Sequence, residues 1–351
     1  MVHPRRAGRM HVKRMQIHGS HDQMGRSLGQ ELKTQLTSPP PDQAATDTGK
    51  RLIDSLSLYA PELLAELRGI ATALDLDWME TAEILAPVLD QGVGCSAFWV
   101  SPDHTMDGLP LFGRNWDFRP GAAENAQLII THPARGYSHL GFTNHPIGRY
   151  GGINEAGLTL ATAVVPARRK MRGLAFTLAT RRILETCAAI EDARDFLETV
   201  PHSSSANFLL SDAEGQAVLV EIEPGRVMAK RARNFAAITN HFASIPEHLA
   251  RPRLPRSRKR RSALNLWFTN NTGVVDAARA REILADREQG VCARGNPGIP
   301  HATVTLWSWI ARPGSRTVEA AMGSPHCTPY EVYTLCERTM SLPRKYACYI
   351  G

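Results

Sequence analysis

Apolar residues recur at helical spacing between Asp22 and Leu36, where Met24, Leu28, Leu32 and Leu36 fall on one face. The following TSPPPDQAATDTGK, residues 37–50, interrupts that pattern with three prolines among polar residues and is expected to be a surface linker. A second helical stretch is predicted over roughly residues 51–74. A third opens at Asp77, whose carboxylate can cap the helix while Glu80, three residues on, completes a capping box. The first 90 residues therefore read as nearly all helix.

At Gly92 the period changes. CSAFWVS, LPLFGRNWDF, AQLIITH, HLGFTN and LTLATAVV are short runs of β-branched and aromatic residues separated by turn-formers, and predict a multi-stranded antiparallel sheet. Helices near 175–187 and 189–199 follow, then a hairpin, NFLLSDAEGQAVLVEIEPG, turning at Asp212 to Gly215, and the strand FAAITNHF. A basic loop, 251–261, leads to a helix near 275–286, the strands ATVTLWSWIA and RTVEAAMG, and a short helix from Tyr330 to Leu335. The order of helices, strands, helices and strands predicts an α+β fold, and a four-layer αββα sandwich of helices around two sheets satisfies it.

Composition narrows the class. With 351 residues, 43% of them hydrophobic, the chain can bury a large core and is not read as disordered. It has no apolar run of membrane-spanning length, and no apolar stretch follows the basic N-terminus, so a cytoplasmic protein without membrane contact is expected. Six cysteines, at 95, 187, 292, 327, 336 and 348, form no CxxC pair, which argues against a disulfide framework or a zinc site. The histidines show no HExxH spacing and His326-Cys327 alone makes no ligand pair, so neither metal nor cofactor is expected. The formal net charge is +7, and Arg251, Arg253, Arg256, Arg258, Lys259, Arg260 and Arg261 supply that excess in one stretch without an acid. That run lacks interleaved aromatics, so it is read as a solvated loop rather than a nucleic-acid site.

Among the thiols, Cys95 stands apart through its neighbours. A free cysteine is most often a small buried hydrophobe, but Cys95 follows Gly92-Val93-Gly94 at the junction of the helical part and the first strand. Gly94 has no Cβ to block attack of the thiol on its carbonyl. Cleavage there would leave Cys95 with a free α-amine, whose ordinary pKa of about 7.7–8.0 suits it as a base for its own thiol. Downstream, Arg114 and Asp117 in GRNWDF offer a guanidinium to support a thiolate and a carboxylate to orient an amine, or else form a plain ion pair.

VGCSAFWV and FGRNWDF, then YGGINEAGLTLA, SSANFLLSDAEG and ITNHF in that order, resemble the acyl-coenzyme A:6-aminopenicillanic acid acyltransferase family. These are self-processing N-terminal-nucleophile hydrolases related to penicillin V acylases and bile salt hydrolases. The likeness extends from GSHDQMGRSLGQEL to MGSPHCTPYEVYTL. It implies the αββα fold and a cut between Gly94 and Cys95. The products would be a helical α segment of residues 1–94, which stays associated, and a catalytic β segment of residues 95–351. It further implies Cys95 as nucleophile, Arg114 and Asp117 as its RNxD pair, and Asn240 of the TN motif as a donor to the oxyanion. Arg260 fits the family arginine in an S-x-x-R-x-x-x-L pattern over Ser257 to Leu264, although Arg261 adjoins it. A second oxyanion asparagine found in many relatives after GLxxA is missing, because Thr162-Ala163-Val164-Val165 stands there.

The resulting expectation is an amidohydrolase or acyltransferase working on linear non-peptide amides through an acyl-thioester on Cys95. Its partners would be a small-molecule amide or acyl donor, acyl-coenzyme A among the candidates; a homo-oligomer is compatible with it. Two alternatives stay open: an uncut papain-like Cys–His hydrolase, and a non-enzymatic module binding anions or nucleic acid through loop 251–261.

Overall fold

The computed structural model describes residues 13–35, 47–89, 94–166, 171–246, 254–295 and 302–335. Arg251, Arg253, Gly92, Val93, Cys336, Cys348 and most of the expected linker, residues 37–46, lie outside this set. The segment before Cys95 supplies strand β1 (Lys13–Gly19) and helices α1 (His21–Gln35), α2 (Asp47–Tyr59), α3 (Pro61–Leu74) and α4 (Trp78–Leu89). Then come β2 (Gly94–Val100), β3 (Leu111–Phe118), β4 (Gln127–Pro133), β5 (His139–Thr143), β6 (Gly151–Asn154) and β7 (Thr159–Val164). Helices α5 (Phe176–Thr186) and α6 (Ile190–Thr199) precede β8 (Ala206–Ser211), β9 (Ala217–Glu223), β10 (Arg226–Arg231) and β11 (Phe235–Ile238). The last elements are α7 (Pro255–Asn270), α8 (Ala277–Leu284), β12 (Val304–Arg312), β13 (Thr317–Ala321) and β14 (Glu331–Thr334).

The strands form two sheets, one of eight in the order β1-β4-β5-β6-β7-β8-β9-β10 and one of six in the order β11-β2-β3-β12-β13-β14. Helices α5 and α6 pack on the eight-stranded sheet, and α7 and α8 on the six-stranded one, while β2 and β11 meet β7 and β8 across the interior. This is the expected four-layer αββα arrangement. Because every residue of β2 and β3 is buried, both faces of that hairpin are covered. Cys95, Ala97, Trp99, Phe112 and Trp116 join the inter-sheet core, whereas Phe98, Val100 and Leu111 pack with Leu264, Phe268 and Ile283 under the outer helices. Between the sheets Trp116 stacks on Trp307 with centroids 3.9 Å apart, and Phe142 on Trp309 at 5.5 Å.

Several sequence expectations need correction. The helix over 51–74 is two helices: Pro61 clashes with a helical residue before it, so Ala60 leaves the α region (φ −154°, ψ 61°) and α3 restarts with proline in its first turn. The N-terminal part is not all helix, since β1 pairs in parallel with β4 over seven positions, Lys13 with Gln127 through Gly19 with Pro133. Its partner is more than a hundred residues away, so no local signal marks it. Residues 330–335 form no helix; Glu331–Thr334 extend as β14 along the edge of β13. The basic loop is helical from Pro255 onward, which puts Arg256, Arg258, Lys259, Arg260 and Arg261 in the first two turns of α7. Strands β6 and β10 were also unforeseen. The Asp77 cap is as expected: its carboxylate accepts from the Met79 amide at 2.7 Å, and Glu80 accepts from the Asp77 amide at 3.0 Å.

The N-terminal segment is tied in by more than apolar packing. Gly25 and Gly69 let α1 and α3 cross closely, for a Cβ on Gly25 would lie 2.1 Å from the Glu66 carbonyl oxygen. Fully buried Arg181 of α5 pairs with Glu66 of α3 at 3.1 Å and with Glu185, which also meets His21 of α1 at 2.6 Å. Burial opposes the charge on Glu185, but Arg181 and His21 outweigh it and hold the carboxyl down to about 2. Replacing Arg181 with Met strands two buried carboxylates, and should destabilise the fold by about 3–5 kcal/mol in urea titration. A loss below about 1 kcal/mol would place the anchoring of the N-terminal segment in its apolar contacts instead.

Candidate active site around Cys95

Period-two alternation in the β2–β3 hairpin distributes the candidate residues. Cys95 lies opposite Trp116 and Gly94 opposite Asp117 in the register. The thiol and Arg114 therefore point between the sheets, and Asp117 points outward beneath α7 and α8. Arg114 and Asp117 leave β3 on opposite faces and form no ion pair with each other, so the plain ion-pair reading is not what the fold builds. Arg114 Nη2 lies 3.6 Å from Cys95 Sγ, while its Nη1 donates to the Tyr150 carbonyl, which also accepts from Thr162 Oγ1 at 2.7 Å.

On the outer face, Asp117 Oδ1 accepts from Thr305 Oγ1 of β12 at 2.7 Å, and Oδ2 has no partner among the described residues. That carboxylate lies against Gly94, where a Cβ would come within 2.9 Å of Oδ2 and 2.8 Å of the Asp117 Cβ. Asn240, two residues past the end of β11, accepts at Oδ1 from the Cys95 amide (2.8 Å) and from Arg260 Nη2 (2.7 Å). Two N–H donors on one side and the Val164 carbonyl on the other (2.9 Å from Nδ2) fix the orientation of this carboxamide. One Nδ2 hydrogen therefore remains for any further acceptor.

Arg260 completes the cluster, donating from Nε to Ser96 Oγ at 3.0 Å and from Nη2 to the Cys95 carbonyl at 3.3 Å. Ser257, Arg260 and Leu264 are buried on one side of α7, so the S-x-x-R-x-x-x-L spacing follows from helix geometry. Arg261 instead donates to the Ala237 carbonyl of β11.

Burial dominates the electrostatics of the site. Burial pushes the Cys95 thiol above its ordinary range, against the pull of Arg114. Burial likewise raises the Asp117 carboxyl, against Arg260 and the Thr305 hydroxyl. No histidine hydrogen-bonds Cys95 among the described residues. His241, next to Asn240, bonds Ser257 and Thr239 and is pushed down to about 4 by burial and by Arg261 and Arg258.

Three supporting residues carried no sequence signal of this role. Thr305 sits in an apolar strand run, Ser96 follows the thiol, and Asn207 pins the carbonyls on both sides of Asn240, donating to Thr239 and His241 at 2.8 Å each. Asn207 at least lies inside the SSANFLL segment already singled out.

Residues 104–326 match the family model described as acyl-coenzyme A:6-aminopenicillanic acid acyl-transferase. The chain belongs to this family. The matched span holds Arg114, Asp117, Asn240 and Arg260 but begins after Cys95. A curated relative, an uncharacterized protein of Archaeoglobus fulgidus, is 23% identical over 217 residues, 54% of this chain and 36% of that protein. The match thus spans little more than a third of the relative's length. Similar solved structures include a variant of conjugated bile acid hydrolase from Clostridium perfringens, with 14% identity, TM-score 0.47, and coverage of 71% of this chain and 99% of that one. Penicillin V acylase from Agrobacterium tumefaciens gives 17% identity, TM-score 0.45, and coverage of 68% and 84%. No helix among the described residues is long and apolar enough to cross a membrane.

Two outcomes follow from this packing and its electrostatics. Gly94→Ala should destabilise the protein by about 1–3 kcal/mol in chemical denaturation, because the new methyl must displace Asp117 or β2; an unchanged midpoint would mean that the contact relaxes freely. For His241 the folded pKa is depressed, so the unfolded chain binds the extra proton first. Its contribution is then intact above pH 6.5 and is lost as the pH falls toward about 4. The stability difference between wild type and His241→Gln should shrink over that window in thermal melts, and a pH-independent difference would contradict the assignment.

Proposed function

We propose that this family member is a self-processing amidohydrolase or acyltransferase that cuts its own chain between Gly94 and Cys95 and then takes acyl groups from linear non-peptide amides onto Cys95. The observation that carries this reading is the buried Asp117 Oδ2, which lies against Gly94 with no partner among the described residues, beside a Cys95 amide that already donates to Asn240. A carboxylate oxygen buried without a donor is costly. A new α-ammonium at Cys95 would satisfy it while keeping the Asn240 contact.

In the first stage Cys95 Sγ adds to the Gly94 carbonyl carbon, the C–N bond breaks, and the thiol proton passes to the departing nitrogen. Water then hydrolyses the Gly94 thioester, giving a carboxylate on Gly94 and a free thiol and amine on Cys95. In the second stage the neutral α-amine accepts the thiol proton as Sγ attacks the substrate carbonyl. Arg114, 3.6 Å from Sγ, favours the developing thiolate. The remaining Nδ2 hydrogen of Asn240 is the donor proposed for the oxyanion. Collapse expels the substrate amine with a proton and leaves an acyl-thioester. Water or an acceptor amine then releases the acyl group, so the substrate partner is an amide or acyl donor.

The N-terminal segment should remain bound after the cut, because it supplies β1 and Glu66. Intact mass spectrometry of purified protein should show two fragments meeting at Gly94 and Cys95, and a single active chain would sink the proposal. Cys95→Ala should stay whole and turn over none of a panel of acyl amides. Asp117→Asn should slow both cleavage and turnover at least tenfold, by about 1.4 kcal/mol or more. Wild-type rates in either variant would refute the assigned roles.

A further inference from the structure

Glu221 of β9 carries a carboxylate into the interior, where it is 1% exposed. Its Oε1 accepts from the Ala243 amide at 2.5 Å, and its Oε2 accepts from the amides of Ser244 and Ile245 at 2.8 Å each. Glu221 stands directly opposite Asn207 in the β8–β9 register, so both side chains leave the same face of the eight-stranded sheet. From that face Asn207 reaches the carbonyls of Thr239 and His241. One cross-strand pair therefore binds five backbone groups of the stretch from Thr239 to Ile245, Asn207 by donating and Glu221 by accepting.

We propose, on the reading that Cys95 cuts the chain, that Glu221 is a positioning residue for Asn240 and sets the rate of that cut through the stretch it holds. Past β11 this stretch is irregular, and Ala243 and Ser244 are exposed. Such segments are ordinarily the mobile parts of a surface. Asn240 within it has to keep Oδ1 against the Cys95 amide, whose nitrogen is the group that leaves when the Gly94 carbonyl is attacked. A misplacement of about 1 Å in a contact of this kind can cost about a hundredfold in rate. Held by Asn207 alone, the chain would be fixed on both sides of Asn240 but could swing beyond His241. Glu221 fastens it a second time, from Ala243 onward, and removes that freedom.

The chemistry of position 221 is specific to this task. An apolar side chain would hold the two sheets together as well, with no charge to bury. Three amide hydrogens converging on one side chain instead require two acceptor oxygens and no hydrogen in return. Glutamine does not meet that need, since its single oxygen leaves an NH2 group facing at least one of the amides.

Full-length precursor made by cell-free translation, followed over time by intact mass spectrometry, gives the rate of the cut in each variant. Glu221→Gln and Asn240→Ala should each slow it by about tenfold or more. The double variant should be cut within about twofold of Asn240→Ala, because residues that act as a unit are not additive. A role in stability alone would slow the double variant by the same further factor, so an additive loss overturns the proposal. If Asn240→Ala is not cut at all, Asn240→Asp takes its place as the background. If Glu221→Gln does not fold, Glu221→Asp keeps the charge but draws it back by one methylene. It should still slow the cut when Asn240 is present and not when it is replaced; equal slowing in both backgrounds would overturn the assignment. A wild-type chain that stays whole would overturn the reading of Cys95 and the role of Glu221 together. A wild-type chain that is cut, beside a Glu221→Gln chain cut equally fast, would overturn the role of Glu221 alone.

Discussion

Covering both faces of the β2–β3 hairpin constrains everything around Cys95. A strand sends alternate side chains to opposite sides, and here one side meets the second sheet and the other meets α7 and α8. Thiol and guanidinium are thereby held on one face, and carboxylate and Arg260 on the other, all out of water. Groups that would otherwise neutralise one another are kept apart by a single peptide layer. Desolvation then sets the electrostatics, raising the thiol and the carboxyl together, and makes each remaining hydrogen bond matter more than it would at the surface.

That burial is maintained by long-range contacts. The N-terminal segment extends the eight-stranded sheet through β1 and inserts Glu66 against Arg181, so it is part of the core of the later chain rather than a separate body. Carboxamides perform similar service elsewhere. Asn115 of β3 donates to the Leu284 carbonyl at the end of α8 and to the Val291 carbonyl in the segment that follows it, and Asn154 of the NEAGL segment donates to Leu184 and Cys187 at the end of α5. Each gives partners to helix-terminal carbonyls that would otherwise be buried unpaired, and locks a strand to the helix above it. With Asn207 bracketing Asn240, three asparagines in the strand motifs act by fastening backbone.

The parts legible in the chain were those with a local cause. Periodicity marked α1, the paired helices α5 and α6, and most strands, and capping chemistry marked Asp77. The ordered motifs carried the family and therefore the layer architecture. Spacing also assigns faces: Arg114 and Asp117, three apart in a strand, must lie on opposite faces, and Ser257, Arg260 and Leu264 are spaced for one face of a helix. The basic run was misread as a loop because its charge obscured a helix whose apolar contacts are few and lie underneath.

Thr305, Ser96 and Asn207 had no comparable signal, since a threonine in an apolar strand acquires its role only from the strand beside it. The same holds for β1 and β14, whose partners are distant or at an edge. The sequence by itself determined which residue types stand at Cys95, Arg114, Asp117, Asn240 and Arg260, and the local periods that carry them, because these depend on neighbours within a few residues. Tertiary structure alone decided that Asp117 Oδ2 lies against Gly94 with no partner among the described residues, and that Arg260 rather than Arg261 reaches Asn240. Those outcomes depend on which segments are packed together, and on burial that no local window of sequence contains.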